Sequence, residues 1–167
     1  MSMGLLDFIL GRDATDPWPP AKCFNVSLDL RNHALNGISL DKDVSALQSL
    51  GRPDNRHPVR SGCFTYGLSG AQFVLLDGRI NYFAIAVADD PRESLRAAKA
   101  QIIGPDGRTL KLSGQTTLDD VRALVAVDPA TDIDDEEIVA TYPVGRFTLE
   151  VEATLSGHVK RVSYWET

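Results

Sequence analysis

Clustered positive charge is what this 167-residue chain most visibly lacks. Its 17 lysines and arginines are outnumbered by 23 aspartates and glutamates, for a formal net charge of −6. Nucleic-acid binding needs Lys and Arg gathered on one face. Here they are scattered, which argues against nucleic acid and against anionic membrane surfaces. Long hydrophobic runs are also missing. The longest, Gln72 to Leu76 and Tyr82 to Ala88, are strand-sized and fall well short of the ~20 apolar residues of a membrane span. Cysteine is nearly absent: Cys23 and Cys63 make no disulfide framework and read as reduced thiols. The opening ten residues lack the basic start and small-residue cleavage site of a signal peptide. The chain reads as cytoplasmic.

Catalytic signatures are equally sparse. Gly67-Leu-Ser-Gly70 is one residue too short for a nucleophile elbow and reads as a turn. No phosphate-binding or dinucleotide-binding glycine pattern occurs. His33, His57 and His158 fall in turns or loops with no helical ligand spacing, so no zinc site is expected. A pairing of His57 with Cys63 has only the coincidence of two residue types behind it. The acidic run Asp128 to Glu137 alternates Asp132, Asp134 and Glu136 as calcium ligands would. It lacks the mid-loop glycine and closing bidentate acid of such loops, and reads as a solvated loop or a docking surface for a basic partner. No enzyme activity, cofactor or metal is expected.

Internal repetition is what the chain does have. Val44-Ser-Ala-Leu47 returns as Val121-Arg-Ala-Leu124, and Phe64-Thr-Tyr66 as Ala140-Thr-Tyr142. Leu75-Leu-Asp-Gly-Arg-Ile80 is echoed over Val151 to Val159. Residues 1–20 form an arm: a short apolar helix at Leu5 to Leu10, then the stiff linker Asp16-Pro-Trp-Pro-Pro20. Residues 21–90 form a first repeat and 91–167 a second. In the first, Phe24 to Leu30 alternates as a half-buried strand and Ala34 to Ile38 follows it. A helix over Asp41 to Leu50 is capped by Ser39 or Asp41. Arg52 to Arg60 is a basic loop, followed by strands Cys63 to Gly67, Gln72 to Leu76 and Arg79 to Val87. Asp77-Gly78 is the strongest hairpin signal, because both turn positions need φ > 0.

The second repeat opens with a connecting helix over Arg92 to Ala100 and a hairpin about Gly104-Pro-Asp-Gly107. A helix over Leu118 to Val125 follows, capped by Thr116 or Thr117, with Asp119 and Asp120 in its first turn. Strands Glu137 to Tyr142, Arg146 to Thr154 and His158 to Trp165 close it. The expected fold is α+β: two tandem repeats, each a hairpin, a helix and a three-strand meander, the helix packed on its own antiparallel sheet.

This order resembles the beta-lactamase-inhibitor-protein-like fold, also seen in small outer-membrane assembly lipoproteins of the SmpA/OmlA type. The residues behind the resemblance are Leu40-Asp-Lys-Asp-Val44 to Leu47, Gly51-Arg-Pro53, Tyr66 and Asp77-Gly-Arg-Ile80, with Leu118-Asp-Asp-Val121 to Leu124, Tyr142 and Ser156-Gly-His-Val159 in the second half. The chain departs from that family in lacking a lipoprotein cysteine and paired cysteines within each repeat. The resemblance implies the fold and a sheet that binds protein.

Aligning the last strands through Ile80 and Val159 exposes an asymmetry. Val74, Leu76, Ile80 and Tyr82 make the outer face of the first sheet apolar, where their counterparts in the second half include Glu150, Val159 and Arg161, with Trp165 further along the same face. Soluble proteins rarely leave such a patch bare. Residues 1–20, the facing repeat, a second subunit in a homodimer or an unidentified protein partner would cover it. The leading expectation is a non-enzymatic protein-binding module, inhibitor-like or immunity-like and of a bacterial kind. The alternative is a small-ligand binder or enzyme using a cleft between the repeats, lined by Tyr82, Glu150, Arg161 and Trp165. The acidic run yields a direct check: calorimetric titration with calcium is expected to show no site tighter than about 100 µM, within the range of structured calcium loops.

Overall fold

The computed structural model describes residues 13–167; the helix expected over Leu5 to Leu10 lies outside them. Twelve strands are present among the described residues. They are β1 (Val26–Asp29), β2 (Ala34–Leu35), β3 (Ile38–Ser39), β4 (Cys63–Tyr66), β5 (Ala71–Leu76) and β6 (Arg79–Ala86). The second half supplies β7 (Ala100–Ile103), β8 (Thr109–Leu112), β9 (Ala130–Ile133), β10 (Ile138–Val144), β11 (Phe147–Ala153) and β12 (Val159–Glu166). Among the described residues, helix is confined to 3-10 segments at Val44–Leu50 and Gly67–Ser69, one turn at Pro58–Ser61, and Leu118–Val125.

The strands form two sheets, ordered β3-β2-β1-β7-β8 and β4-β5-β6-β12-β11-β10-β9. This overturns the expected α+β pair of helix-on-sheet repeats: the protein is mostly β, and neither half owns a sheet. β1 pairs with β7 in parallel, and β6 pairs with β12 antiparallel, so each sheet is built from both halves. The physical reason lies in the helices. Val44–Leu50 winds as a 3-10 helix and buries Leu47 alone, and Leu118–Val125 has only eight residues. Neither stripe is wide enough to cover a sheet. Inward side chains of both sheets instead join one apolar cluster, with Leu28, Leu35 and Ile102 from one and Phe64, Phe73, Phe83, Leu149 and Tyr164 from the other.

Several local expectations also change. Asp43, not Ser39 or Asp41, caps Val44–Leu50 by accepting from the Ser45 N–H. Thr117 caps Leu118–Val125 in a reciprocal box with Asp120. No helix forms over Arg92 to Ala100. Ser94 is in the left-handed region (φ 58°), and the Arg96 and Ala98 N–H groups donate to Gly67 and Ala86 carbonyls rather than along a helix. The acidic run contains a strand, β9, at the edge of the larger sheet. Asp77 (φ 51°) and Gly78 (φ 78°) make the expected hairpin turn.

Two bulges shape the larger sheet. Pairing runs Val74↔Tyr82 and then Leu75↔Ile80, skipping Asn81. It runs Glu152↔Arg161 and then Ala153↔Val159, skipping Lys160. Asn81 and Lys160 are equivalent in the sequence repeat. Each bulge turns the next residue inward, so Ile80 and Val159 are buried.

The smaller sheet is locked to the larger one at the β1–β2 turn. His33 (φ 49°) stacks on Phe147, ring centroids 3.8 Å apart, and its Nδ1 lies 2.6 Å from the Tyr164 hydroxyl. Burial, then the Arg146 charge, lower the His33 pKa, with Asp29 and Glu166 opposing. A lowered imidazole pKa means that folding favours the neutral ring. Its contribution is present above the unfolded value near 6.5 and is lost as pH falls through the folded value. Melting curves from pH 8 to pH 5 are expected to show a loss of stability below about pH 6.5 that His33→Asn does not share. Parallel pH profiles for the two proteins would refute this.

Candidate functional site

The outer face of the seven-stranded sheet brings most of the sequence-selected residues together. One cross-strand row holds Cys63, Val74, Tyr82, Trp165, Thr148 and Pro143. The next holds Thr65, Gln72, Ala84, Ser163, Glu150 and Thr141. A third holds Ala86, Arg161, Glu152, Val139 and Asp132. Val74, Tyr82, Glu150, Arg161 and Trp165 are half-buried on this face. Leu76 ends the first-half side at 61% exposure. Ile80 does not belong: the bulge at Asn81 carries it into the core, where it is fully buried.

At one end the face is aromatic. The Tyr82 hydroxyl donates to Ser163 Oγ at 2.6 Å, which lays the phenol across the small residues Ala84 and Ser163. Trp165 stacks on Tyr82 with centroids 5.8 Å apart at 25°. These small residues are buried beneath larger neighbours, so no hole opens between the rows. Trp18 of the arm does not lie here: it packs on the opposite, core side, stacked on Phe64 at 6.0 Å.

At the other end the face is charged. The Gln72 amide nitrogen donates to Thr65 Oγ1 (3.3 Å) and Glu93 Oε2 (3.2 Å), and its oxygen accepts from Arg161 Nη2 at 3.3 Å. Arg161 also faces Asp90 at 3.8 Å and Glu152 at 4.0 Å. Its Nε is buried with no hydrogen-bond partner. A cleft of about 450 Å³ opens beside it, lined by Asp90, Glu93, Glu137, Glu152, Lys160 and Arg161 among others. Burial raises the Glu150 and Glu152 pKa values, Arg161 lowers them, and Glu137 raises them again.

Gln72, Glu93 and Ser163 were not singled out by sequence. Gln72 was readable as a polar interruption of an apolar strand; Glu93 was hidden in a segment expected to be helical. Among the described residues, no cluster of three or more His, Cys, Asp or Glu side chains has metal-holding geometry. No helix among them is long and apolar enough to cross a membrane.

No protein-family model and no curated protein matches the chain. Its fold is similar to that of YjgB, a DUF4309 family protein from Bacillus subtilis. The likeness has a TM-score of 0.51 at 13% identity and covers 78% of this chain and 83% of that one. It is a likeness of fold.

The carboxylate end makes a testable statement. Glu150 has its pKa raised above 4.5 chiefly by burial. A raised carboxyl pKa favours folding while the group is protonated, and that contribution is lost as pH rises through the folded value. Glu150→Gln is therefore expected to melt above the native protein at pH 7 and with it at pH 4 or below. A variant that is less stable at pH 7 would show that the charge is held favourably.

Proposed function

We propose that this protein is a non-enzymatic protein-binding module, inhibitor-like or immunity-like in kind, which engages its partner through the outer face of the seven-stranded sheet. The observation that carries this reading is the row Val74, Tyr82 and Trp165, half-exposed on three neighbouring strands. The Tyr82–Ser163 hydrogen bond and the ring stacking hold the aromatics in place, so little side-chain entropy remains to be lost on binding. Tyr and Trp on a rigid support are the side chains that dominate interface energies. Glu150, Glu152 and Arg161 supply a polar margin that sets orientation.

A second reading has one observation in its favour. The unpartnered Arg161 Nε beside the cleft suits a small anionic ligand, so the cleft-binding alternative stays in the test. A photo-crosslinking residue placed at Leu76 is expected to capture a discrete protein from the native host, whereas one at exposed Leu155 captures none. Trp165→Ala and Tyr82→Ala should each weaken capture by at least about tenfold, as loss of a ~1.4 kcal/mol contact would. The half-exposed Trp165 should change stability by only about 1 kcal/mol. Capture indifferent to both substitutions would remove the outer face from the function. A small molecule co-purifying with the native protein and lost in Arg161→Ala would favour the cleft.

A further inference from the structure

The two edges of the seven-stranded sheet are treated differently. At the β4 edge, the Asp54 N–H donates to the Thr65 carbonyl at 2.8 Å. The Asn55 side chain accepts from the Thr65 N–H at 2.9 Å and donates to the Cys63 carbonyl at 2.8 Å. That edge is sealed. At the other end stands β9, all four of whose residues are exposed, with Ile133 at 63%. Its strand partner is β10. In an antiparallel pair, alternate residues turn their N–H and C=O groups away from the partner. Those of β9 meet no backbone group among the described residues.

The charge left unpaired along this edge is of one sign. Between Asp128 and Glu137, Arg122 pairs with Asp128 at 2.6 Å and Lys160 pairs with Glu137. Asp132, Asp134, Asp135 and Glu136 have no ion-pair partner among the described residues. The acids continue past the Ile133 end of the strand through Asp134, Asp135 and Glu136 of the β9–β10 turn, beside which an added strand running on past Ile133 would lie.

We propose that β9 is the docking edge for an extended, lysine- or arginine-rich segment of a partner protein, which adds to the sheet as an eighth strand. Backbone groups supply the hydrogen bonds of such strand addition, and alternate side chains supply selectivity. On the Asp132 side the incoming strand meets carboxylate and so carries basic residues. On the other side it meets the β-branched Thr131 and Ile133 and so carries β-branched residues of its own. A second copy of this chain is a poor occupant, because β9 against β9 would oppose the same unpaired carboxylates. A charge that only guards an edge sits on the strand itself; here the unpaired acids run on beyond it. The inference does not rest on the Tyr82–Trp165 face.

The test uses the full chain and a labelled, end-capped peptide of four alternating Lys-Val pairs, followed by anisotropy and amide hydrogen exchange. Expected are saturable one-to-one binding that weakens with salt and new amide protection within 130–133. N-methylation of every second peptide amide, in whichever register faces β9, should weaken binding at least about tenfold, the loss of about one hydrogen bond to the sheet. The double variant Asp132→Lys, Asp134→Lys should do the same, and a Glu-Val peptide should not bind. Trp165→Ala should leave peptide affinity unchanged, which separates this outcome from that of the outer face. If the lysine variants fail to fold, the N-methylated peptides decide the matter on the native chain. Equal affinity for both N-methylated registers, or protection elsewhere, would overturn strand addition. A native dimer dissolved by Thr131→Pro or Asp132→Pro would place a second copy on the edge and overturn the partner assignment.

Discussion

The pairing of β6 with β12 is the constraint on which the rest of the structure depends. It joins the three-strand meander of the first half to the four strands of the second across Tyr82↔Trp165, Phe83↔Tyr164, Ser163↔Ala84 and Val162↔Ile85. One face of that ladder places Phe83, Ile85, Val162 and Tyr164 in the core. The other brings Tyr82 to Trp165 and Arg161 to the Gln72–Glu93 network. Without it the aromatic row and the charged network would each be split between two sheets, and neither half would present a continuous surface. The parallel β1–β7 pairing makes the matching join in the smaller sheet, and His33 ties the two layers through Phe147 and Tyr164.

Polarity along the outer face is graded rather than mixed. Apolar and aromatic side chains cluster at the Val74–Trp165 row, hydroxyls and amides occupy the middle, and ionised groups lie near Arg161. Within this gradient the polar groups largely satisfy one another, so the face is ordered before anything binds to it. The exception is Arg161 Nε. A guanidinium carries five donors, and the surrounding Gln72, Asp90 and Glu152 oxygens lie toward its terminal nitrogens or at 4.0 Å.

Much of the local structure was legible and the long-range structure was not, for a physical reason. Asp77-Gly78, the Thr117–Asp120 cap and the alternation of Phe24 to Leu30 are signals carried by neighbours within a few residues, and each has its expected counterpart. Sheet partnership depends on residues far apart in the chain, and nothing in the β6 or β12 pattern says that the two join. The α+β expectation failed at that point, because an amphipathic stripe such as Val44, Leu47 and Leu50 does not reveal that it is too short to serve as a layer. Ile80 was misplaced because strict alternation ignores a bulge. Five residues of the face chosen from that alternation, Val74, Tyr82, Glu150, Arg161 and Trp165, nevertheless lie on one side of one sheet. Leu76 lies at its margin. β9 was hidden by its charge: four strand residues within an acidic run read as solvated loop.

The parallel β1–β7 and antiparallel β6–β12 joins also govern how the chain comes off the ribosome. When the first half has emerged, β1 has only the short β2 beside it and the inner edge of β6 is bare. The β1–β7 join waits for residues 100–103 and the β6–β12 join for residues 159–166. The nascent chain thus passes through a stage with two unsatisfied strand edges and a half-built core, a state prone to mispairing and aggregation. Loop-closure entropy must be met before these distant contacts form. Residues 159–166 alone hold the two halves of the larger sheet together, so loss of that short segment would part the first-half meander from the strands of the second half.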